Sequence, residues 1–227
     1  LAFDVAVHLG SLFAVMWYFR REIVTIVTAW VASLGSNGNA SEHSQLGWAI
    51  IIGTIPVVIA GLLLKGLVET DLRSPLVIAA ATIGFGLLLW WSDRRATRQR
   101  ELRQLRFKDA LTIGLMQALA LIPGTSRSGI TMTTALMLGF TREAASRFSF
   151  LLAVPTISMS SVLVTRDLLA QQAPVDWQAL GWGVLLSFAA ALTTIHLFLR
   201  FIERIGMLPF VIYRLLLGAV ILLLVYR

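Results

Sequence analysis

The chain has 227 residues, of which 57% are hydrophobic and only 14% charged, with a mean hydropathy of +0.81 and a net charge of +7. A soluble domain carries about 25% charged residues, so an ordinary soluble enzyme is excluded and an integral membrane protein is indicated. The basic surplus reads as cytoplasmic loops rather than a nucleic-acid surface, and the absence of cysteine removes disulfides, thiol nucleophiles and thiolate metal sites.

The apolar runs are long rather than alternating, which selects helices over a closed barrel. No cleavable signal peptide is visible. The chain starts without Met inside an apolar run at Leu1, which suggests that an upstream piece is missing. A first span covers Phe3–Phe19 and is closed by Arg20-Arg21, with a weaker apolar continuation through Ile23–Leu34. Gly35–Ser44 is a polar, glycine-rich loop. The second span is Leu46–Leu64, with Pro56 as a kink. The third is Pro75–Trp91, ending in a tryptophan pair suited to the membrane interface. A basic segment follows, from Arg94 to Lys108, which reads as a solvated charged face. Spans four, five and six are Phe148–Val164, Gly181–Phe201 and Leu208–Val225.

Between Lys108 and Thr141 lie two apolar pieces, Leu111–Ile122 and Ile130–Phe140, each about 17 Å long as a helix and too short for a ~30 Å hydrocarbon core. They flank Pro123-Gly124-Thr125-Ser126-Arg127-Ser128-Gly129, followed by Ile130-Thr131. The segment is either one kinked spanning helix or a re-entrant hairpin with its tip inside protein. Charge placement separates the two. With a hairpin, thirteen basic residues fall on the side of the Arg94–Lys108 loop and four on the other; with a spanning helix the split is eleven to six. The positive-inside rule therefore favours the hairpin, and six spans then leave both chain ends on the outer face.

A repeat runs through the sequence. At an offset of 134, Leu46-Gly47-Trp48 falls on Leu180-Gly181-Trp182, Pro75 and Val77-Ile78 fall on Pro209 and Val211-Ile212, and Gly84 falls on Gly218. Three spans per repeat is an odd number, so the halves run in opposite directions, an architecture that puts a site at mid-membrane between broken helices. The expected fold class is an all-α polytopic membrane protein: six transmembrane helices plus one re-entrant helical hairpin, in inverted repeat. Residues 1–106 form the first repeat; residues 107–227 form the second, with its hairpin at 107–140. The first repeat should have a matching hairpin, and its place lies upstream of Leu1.

A membrane-embedded arginine is costly and marks function. Arg127 suits bidentate contact to a phosphate. Ser126 and Ser128 are hydroxyl donors or a nucleophile, or alternatively a helix cap. Thr131, one turn on, reaches the same anion or bonds its own backbone. Gly124, Thr125 and Gly129 shape a tip whose backbone N–H groups, at a helix start, face an anion. Gln117, Ser149 and Arg214 are weaker substrate-binding candidates; Arg214 snorkels in the alternative reading. His8 and His196 read as satisfied membrane residues, and no HxxxH or HExxH pair exists.

PGTSRSGIT, preceded by QALALI and followed by REAASRFSFLLAVP, resembles the second signature region of the undecaprenyl-diphosphate phosphatase (bacitracin resistance) family; FDVAVHLGSLFAV and LPFVIYR extend the resemblance from Leu1 to Arg227. The resemblance implies a bacterial inner-membrane, multi-pass hydrolase of the polyprenyl diphosphate lipid used in cell-wall synthesis. It implies a site facing the periplasm and dependence on Mg²⁺ or Ca²⁺. A homodimer is a separate expectation. One signature is absent: a glutamate pair followed by a Pro-x-Ser-Ser-Thr-Gly-His element, which supplies the implied metal ligands and acid/base groups. No metal ligand is assigned in this sequence, where Asp4 is the only comparable carboxylate, and this polypeptide alone is expected to be inactive. The rival reading is a transporter or flippase for an anionic lipid or solute, which the same architecture serves.

Overall fold

The computed structural model describes residues 2–35, 41–64, 66, 72–170 and 176–226, without the side chains of residues 2, 4, 5 and 163–170. Residues 36–40 of the Gly35–Ser44 loop, Lys65, Arg227 and the side chains of Asp4 and Arg166 therefore lie outside the described residues. Among the described residues there are nine α-helices and no strand: α1 (Ala2–Tyr18), α2 (Arg20–Gly35), α3 (Glu42–Leu63), α4 (Pro75–Arg95), α5 (Phe107–Gln117), α6 (Arg127–Met137), α7 (Arg142–Ala170), α8 (Trp177–Ile205) and α9 (Leu208–Val225).

Four of these, α3, α4, α8 and α9, are long and apolar enough to cross a bilayer. The spans expected at Phe3–Phe19 and Phe148–Val164 fall on α1, with 17 residues, and inside α7, with 29. Two starts are set by serine caps whose hydroxyls accept first-turn N–H groups: Ser41 from Ser44 and Ser74 from Val77, the latter with Pro75 pre-set for the first helical position. The weak continuation of span one is instead a helix of its own. α2 starts after a turn at Phe19, where the Arg20-Arg21 pair interrupts the apolar run, and it packs on α3 with Trp30 edge-on to Trp48.

The Lys108–Thr141 segment is a re-entrant hairpin. α5 continues as a 3₁₀ turn (Ala118–Leu121), the chain reverses, and α6 returns. One side chain proves the topology. The Arg100 guanidinium bonds the Asp109 carboxylate at the start of α5 and the Leu138 carbonyl at the end of α6 (3.0 Å), so both ends of the hairpin share one mouth. The Gly139 carbonyl accepts from the Arg100 N–H at 3.0 Å and the Thr141 N–H bonds the Arg100 carbonyl at 2.9 Å, which sews the basic loop to the exit of α6. Arg100 is thus not part of a solvated charged face. Nothing local in the sequence separates Arg100 from its basic neighbours.

Broken backbone at membrane depth must be enclosed by protein. α5 packs on α3 where two glycines meet: a Cβ on Gly114 would stand 2.8 Å from Gly53 Cα. α6 supplies Met132, Ala135 and Leu136 to a core that includes Phe148 and Leu152 of α7, Leu89 of α4 and Val211 of α9. The fold is therefore a helical membrane bundle with the hairpin at its centre.

Candidate active site

Ser126 begins the site. It caps α6 at φ +67°, a left-handed conformation that costs a non-glycine residue energy, and its Oγ accepts the Gly129 N–H at 3.2 Å. The Ile130 N–H goes to the Ser126 carbonyl. That leaves the N–H groups of Arg127 and Ser128, at the positive end of α6, pointing to whatever occupies the tip. The Ser128 hydroxyl lies 3.4 Å from that of Ser126.

Gly124 sits at φ +94° because the chain presses against α4: a Cβ there would stand 2.8 Å from Thr82 Oγ1. Its carbonyl accepts from Arg214 Nη2 at 2.8 Å and from Thr82 Oγ1 at 3.3 Å. Arg214 also donates from Nε to the Thr82 carbonyl at 3.2 Å. It is 8% exposed, and Gly86 leaves room for its stem. So Arg214 does not snorkel to a surface. It is turned inward onto the hairpin tip, and Thr82, which sequence reading missed, is its partner. A threonine in an apolar span carries no signal that separates this role from ordinary backbone bonding.

Among the described residues the Arg127 guanidinium makes a single hydrogen bond, to the Ser149 carbonyl at 3.4 Å. No described carboxylate pairs with Arg127 or Arg214. Thr82 lies eleven residues along α4 from Asp93 at the basic end, which places the tip about 16 Å in, near mid-membrane.

The candidates separate into two groups. Ser126, Arg127, Ser128, Gly129, Gly124 and Arg214 line one cavity of about 1230 Å³. Thr131 and Ser149 do not. They are 1% exposed, their hydroxyls share a 2.7 Å bond, and Thr131 Oγ1 also bonds the Arg127 and Ser128 carbonyls. They brace α6 against α7 behind the arginine. Gln117 is fully buried against α3, donating to the Gly53 carbonyl at 3.4 Å. Thr125 is fully buried, with an Oγ1 that has no partner among the described residues.

Away from its polar head the cavity is apolar, with Met132, Phe198, Trp182, Leu186 and Leu217 in its walls. It reaches Ala179 and Ile221, at the ends of α8 and α9 remote from the basic loop. Ser11 and Ser187, a second polar pair missed in sequence, join hydroxyls at 3.0 Å in that wall. The Mg²⁺ or Ca²⁺ implied by resemblance finds no fit in these residues. Among the described residues the lining carries two guanidinium groups and no carboxylate, and no three His, Asp or Glu residues cluster.

Three relatives match nearly the whole chain. Undecaprenyl-diphosphatase 2 of Stutzerimonas stutzeri (strain A1501) is 59% identical, covering 99% of this chain and 84% of the relative. Undecaprenyl-diphosphatase of Alteromonas mediterranea is 58% identical, covering 100% and 85%. Undecaprenyl-diphosphatase 1 of Pseudoalteromonas translucida (strain TAC 125) is 57% identical, covering 96% and 82%. Residues 1–220 match the family described as Bacitracin resistance protein BacA. With a helical membrane bundle, a re-entrant Ser-Arg-Ser tip and these relatives, the chain belongs to the BacA bacitracin resistance family.

Proposed function

We propose that this protein hydrolyses undecaprenyl diphosphate to undecaprenyl phosphate and inorganic phosphate, recycling a carrier lipid for cell-wall synthesis and giving bacitracin resistance. One observation carries the reading: two guanidinium groups without carboxylate partners among the described residues face the head of a cavity whose remaining walls are mostly apolar. A buried cation without a counter-ion is strongly unfavourable, and an anion of charge −2 or more relieves it. A lipid diphosphate supplies that charge at one end and an isoprenoid chain for the apolar walls at the other.

Cleaving the anhydride places a water-derived oxygen on the terminal phosphorus and leaves the bridging oxygen on the lipid phosphate. Charge grows on the phosphoryl and leaving oxygens, and fixed donors aimed at them lower the barrier. Arg127 takes the terminal phosphoryl in a bidentate grip, and Ser126, Ser128 and the free N–H groups at the start of α6 add donors. Arg214 neutralises the second phosphate while holding Gly124 in place. Gly124, Thr125 and Gly129 form the backbone of the cradle, Thr131 and Ser149 position Arg127 from behind, and Gln117 fixes α5 on α3.

The protein is assigned to the cell inner membrane, with the basic end in the cytoplasm by the positive-inside rule. The reach of the cavity to Ala179 and Ile221 supports an opening toward the periplasm. The two repeats, residues 1–106 and 107–227, are assigned opposite orientations across this site. The deciding assay is phosphate release from undecaprenyl diphosphate by the full-length protein in detergent micelles, where no compartments exist. A hydrolase releases phosphate there; a flippase releases none.

A further inference from the structure

We propose that a second site, the notch between α1, α2, α7 and α8 at the basic end, holds the headgroup of an anionic phospholipid. The notch has a volume of about 620 Å³ and shares no lining residue with the cavity at the hairpin tip. Arg20, Arg21, Arg147 and Arg200 line it, against Glu22 and Glu143, so its net charge is +2 with His196 neutral. Both carboxylates are taken by Arg147, at 2.7 and 3.2 Å. Arg20, Arg21 and Arg200 have no carboxylate partner among the described residues.

Two of these cations are held in place before any ligand arrives. Arg20 donates to the Trp17 carbonyl at 2.8 Å and lies over the Trp17 ring at 4.9 Å. Arg200 lies over Phe201 at 5.7 Å. Aromatic stacking fixes a guanidinium without neutralising it, so the charge stays available to a phosphate. Tyr18 and His196, with ring centroids 6.3 Å apart, close the space between α1 and α8.

The surroundings select a lipid over a free anion. α1 runs toward Arg20 and α8 toward Arg200, so Phe13, Trp17 and Leu197 sit about one to two turns deeper in the membrane. All three are exposed, at 48%, 57% and 47%. A diacyl lipid meets both features at once: its phosphate reaches the arginines and its chains lie along the apolar wall. Basic pockets between helices at the cytoplasmic level are suited to such headgroups, and Trp and Tyr at that depth match the interface.

Native mass spectrometry of the delipidated protein tests this, using phosphatidylglycerol, phosphatidylcholine with the same chains, and glycerol 3-phosphate as the headgroup alone. Phosphatidylglycerol is expected to bind at least roughly fivefold more tightly than phosphatidylcholine. Arg21→Ala with Arg200→Ala should remove that preference, the Arg→Lys pair should keep it, and Arg127→Ala should leave it unchanged. Equal binding of the two lipids, or an unchanged preference in the double alanine variant, overturns the proposal. Loss in Arg127→Ala moves the lipid to the tip cavity and overturns it too. Competition by glycerol 3-phosphate at concentrations matching the lipid makes the notch a free-anion site, which also contradicts it.

Discussion

Arg100, Arg142 and Arg147, at the basic end, each meet a carboxylate, whereas about 16 Å deeper Arg127 and Arg214 meet, among the described residues, only backbone carbonyls, in the case of Arg214 including that of Gly124 at the hairpin tip. The shallow arginines tie helices together. Arg142 forks onto Asp93 (Nε to Oδ1 2.6 Å, Nη2 to Oδ2 3.0 Å) and donates to the Glu203 carbonyl, while the Met207 N–H reaches the same carboxylate. One buried pair thus joins α4, α7 and the α8–α9 turn. The deep arginines have their charge left over. The same residue type is a fastener where a carboxylate answers it and a ligand-seeking group where none does.

The comparison can be broken at either level. The largest effect is expected from the deep pair. Arg127→Ala should lower turnover by roughly a thousandfold, and Arg127→Lys should recover only part, because an ammonium cannot grip two phosphate oxygens in one plane. Arg214→Ala should cost about a hundredfold, read as phosphate release, since it loses a charge and loosens Gly124 together. If either variant kept full turnover, the unpaired charge would have no catalytic meaning.

Next in size is the shallow pair. Asp93→Ala strands the Arg142 guanidinium in a mostly buried position and should destabilise the fold by about 3 kcal/mol, measured as a lowered midpoint of thermal unfolding. Turnover per folded molecule should stay near wild type. Thr131→Val is a smaller version of the same test. It deletes the 2.7 Å bond to Ser149 and should cost about 1 kcal/mol, with a fall in kcat if Arg127 is displaced.

The smallest effect concerns pH. Burial alone would push the Asp109 carboxyl up, but the hydrogen bonds from Arg100 and from the Arg106 N–H, with the charges of both arginines, hold it below the ordinary carboxylate range. A depressed folded value means that the stabilising contribution is present above the unfolded value of about 4 and is lost as pH falls through the folded one. Wild type should therefore lose stability below about pH 4 more steeply than Asp109→Asn. Parallel curves would remove the Arg100–Asp109 clamp from the hairpin's anchoring.

Much of this was legible in the sequence, for physical reasons. Two apolar pieces too short to span, plus a charge count, specify a re-entrant hairpin before any coordinate is known. A membrane arginine between two serines announces itself by cost. What stayed hidden depends on distance across the fold. Arg100 looks like its basic neighbours until Asp109 and Leu138 come within reach. Thr131 sits one turn from Arg127 on the same helix, so spacing leaves the anion and its own backbone equally open; the structure gives its hydroxyl to the helix backbone, and the bond to Ser149 has no trace in the spacing. The contact that ties the first turn of α2 to α7, Glu22 with Arg147, spans 125 residues and has no local trace in the sequence.

Phosphate release from undecaprenyl diphosphate by Arg127→Ala and Arg142→Ala in the full-length protein, side by side with wild type and normalised to folded protein, tests the division between the two levels most directly. Arg127→Ala should retain the wild-type unfolding midpoint within a few degrees and lose roughly a thousandfold in turnover. Arg142→Ala should unfold at lower temperature and keep its turnover per folded molecule. The reverse pattern, an active Arg127→Ala beside a folded but inactive Arg142→Ala, would contradict the assignment of the chemistry to the unpaired arginines.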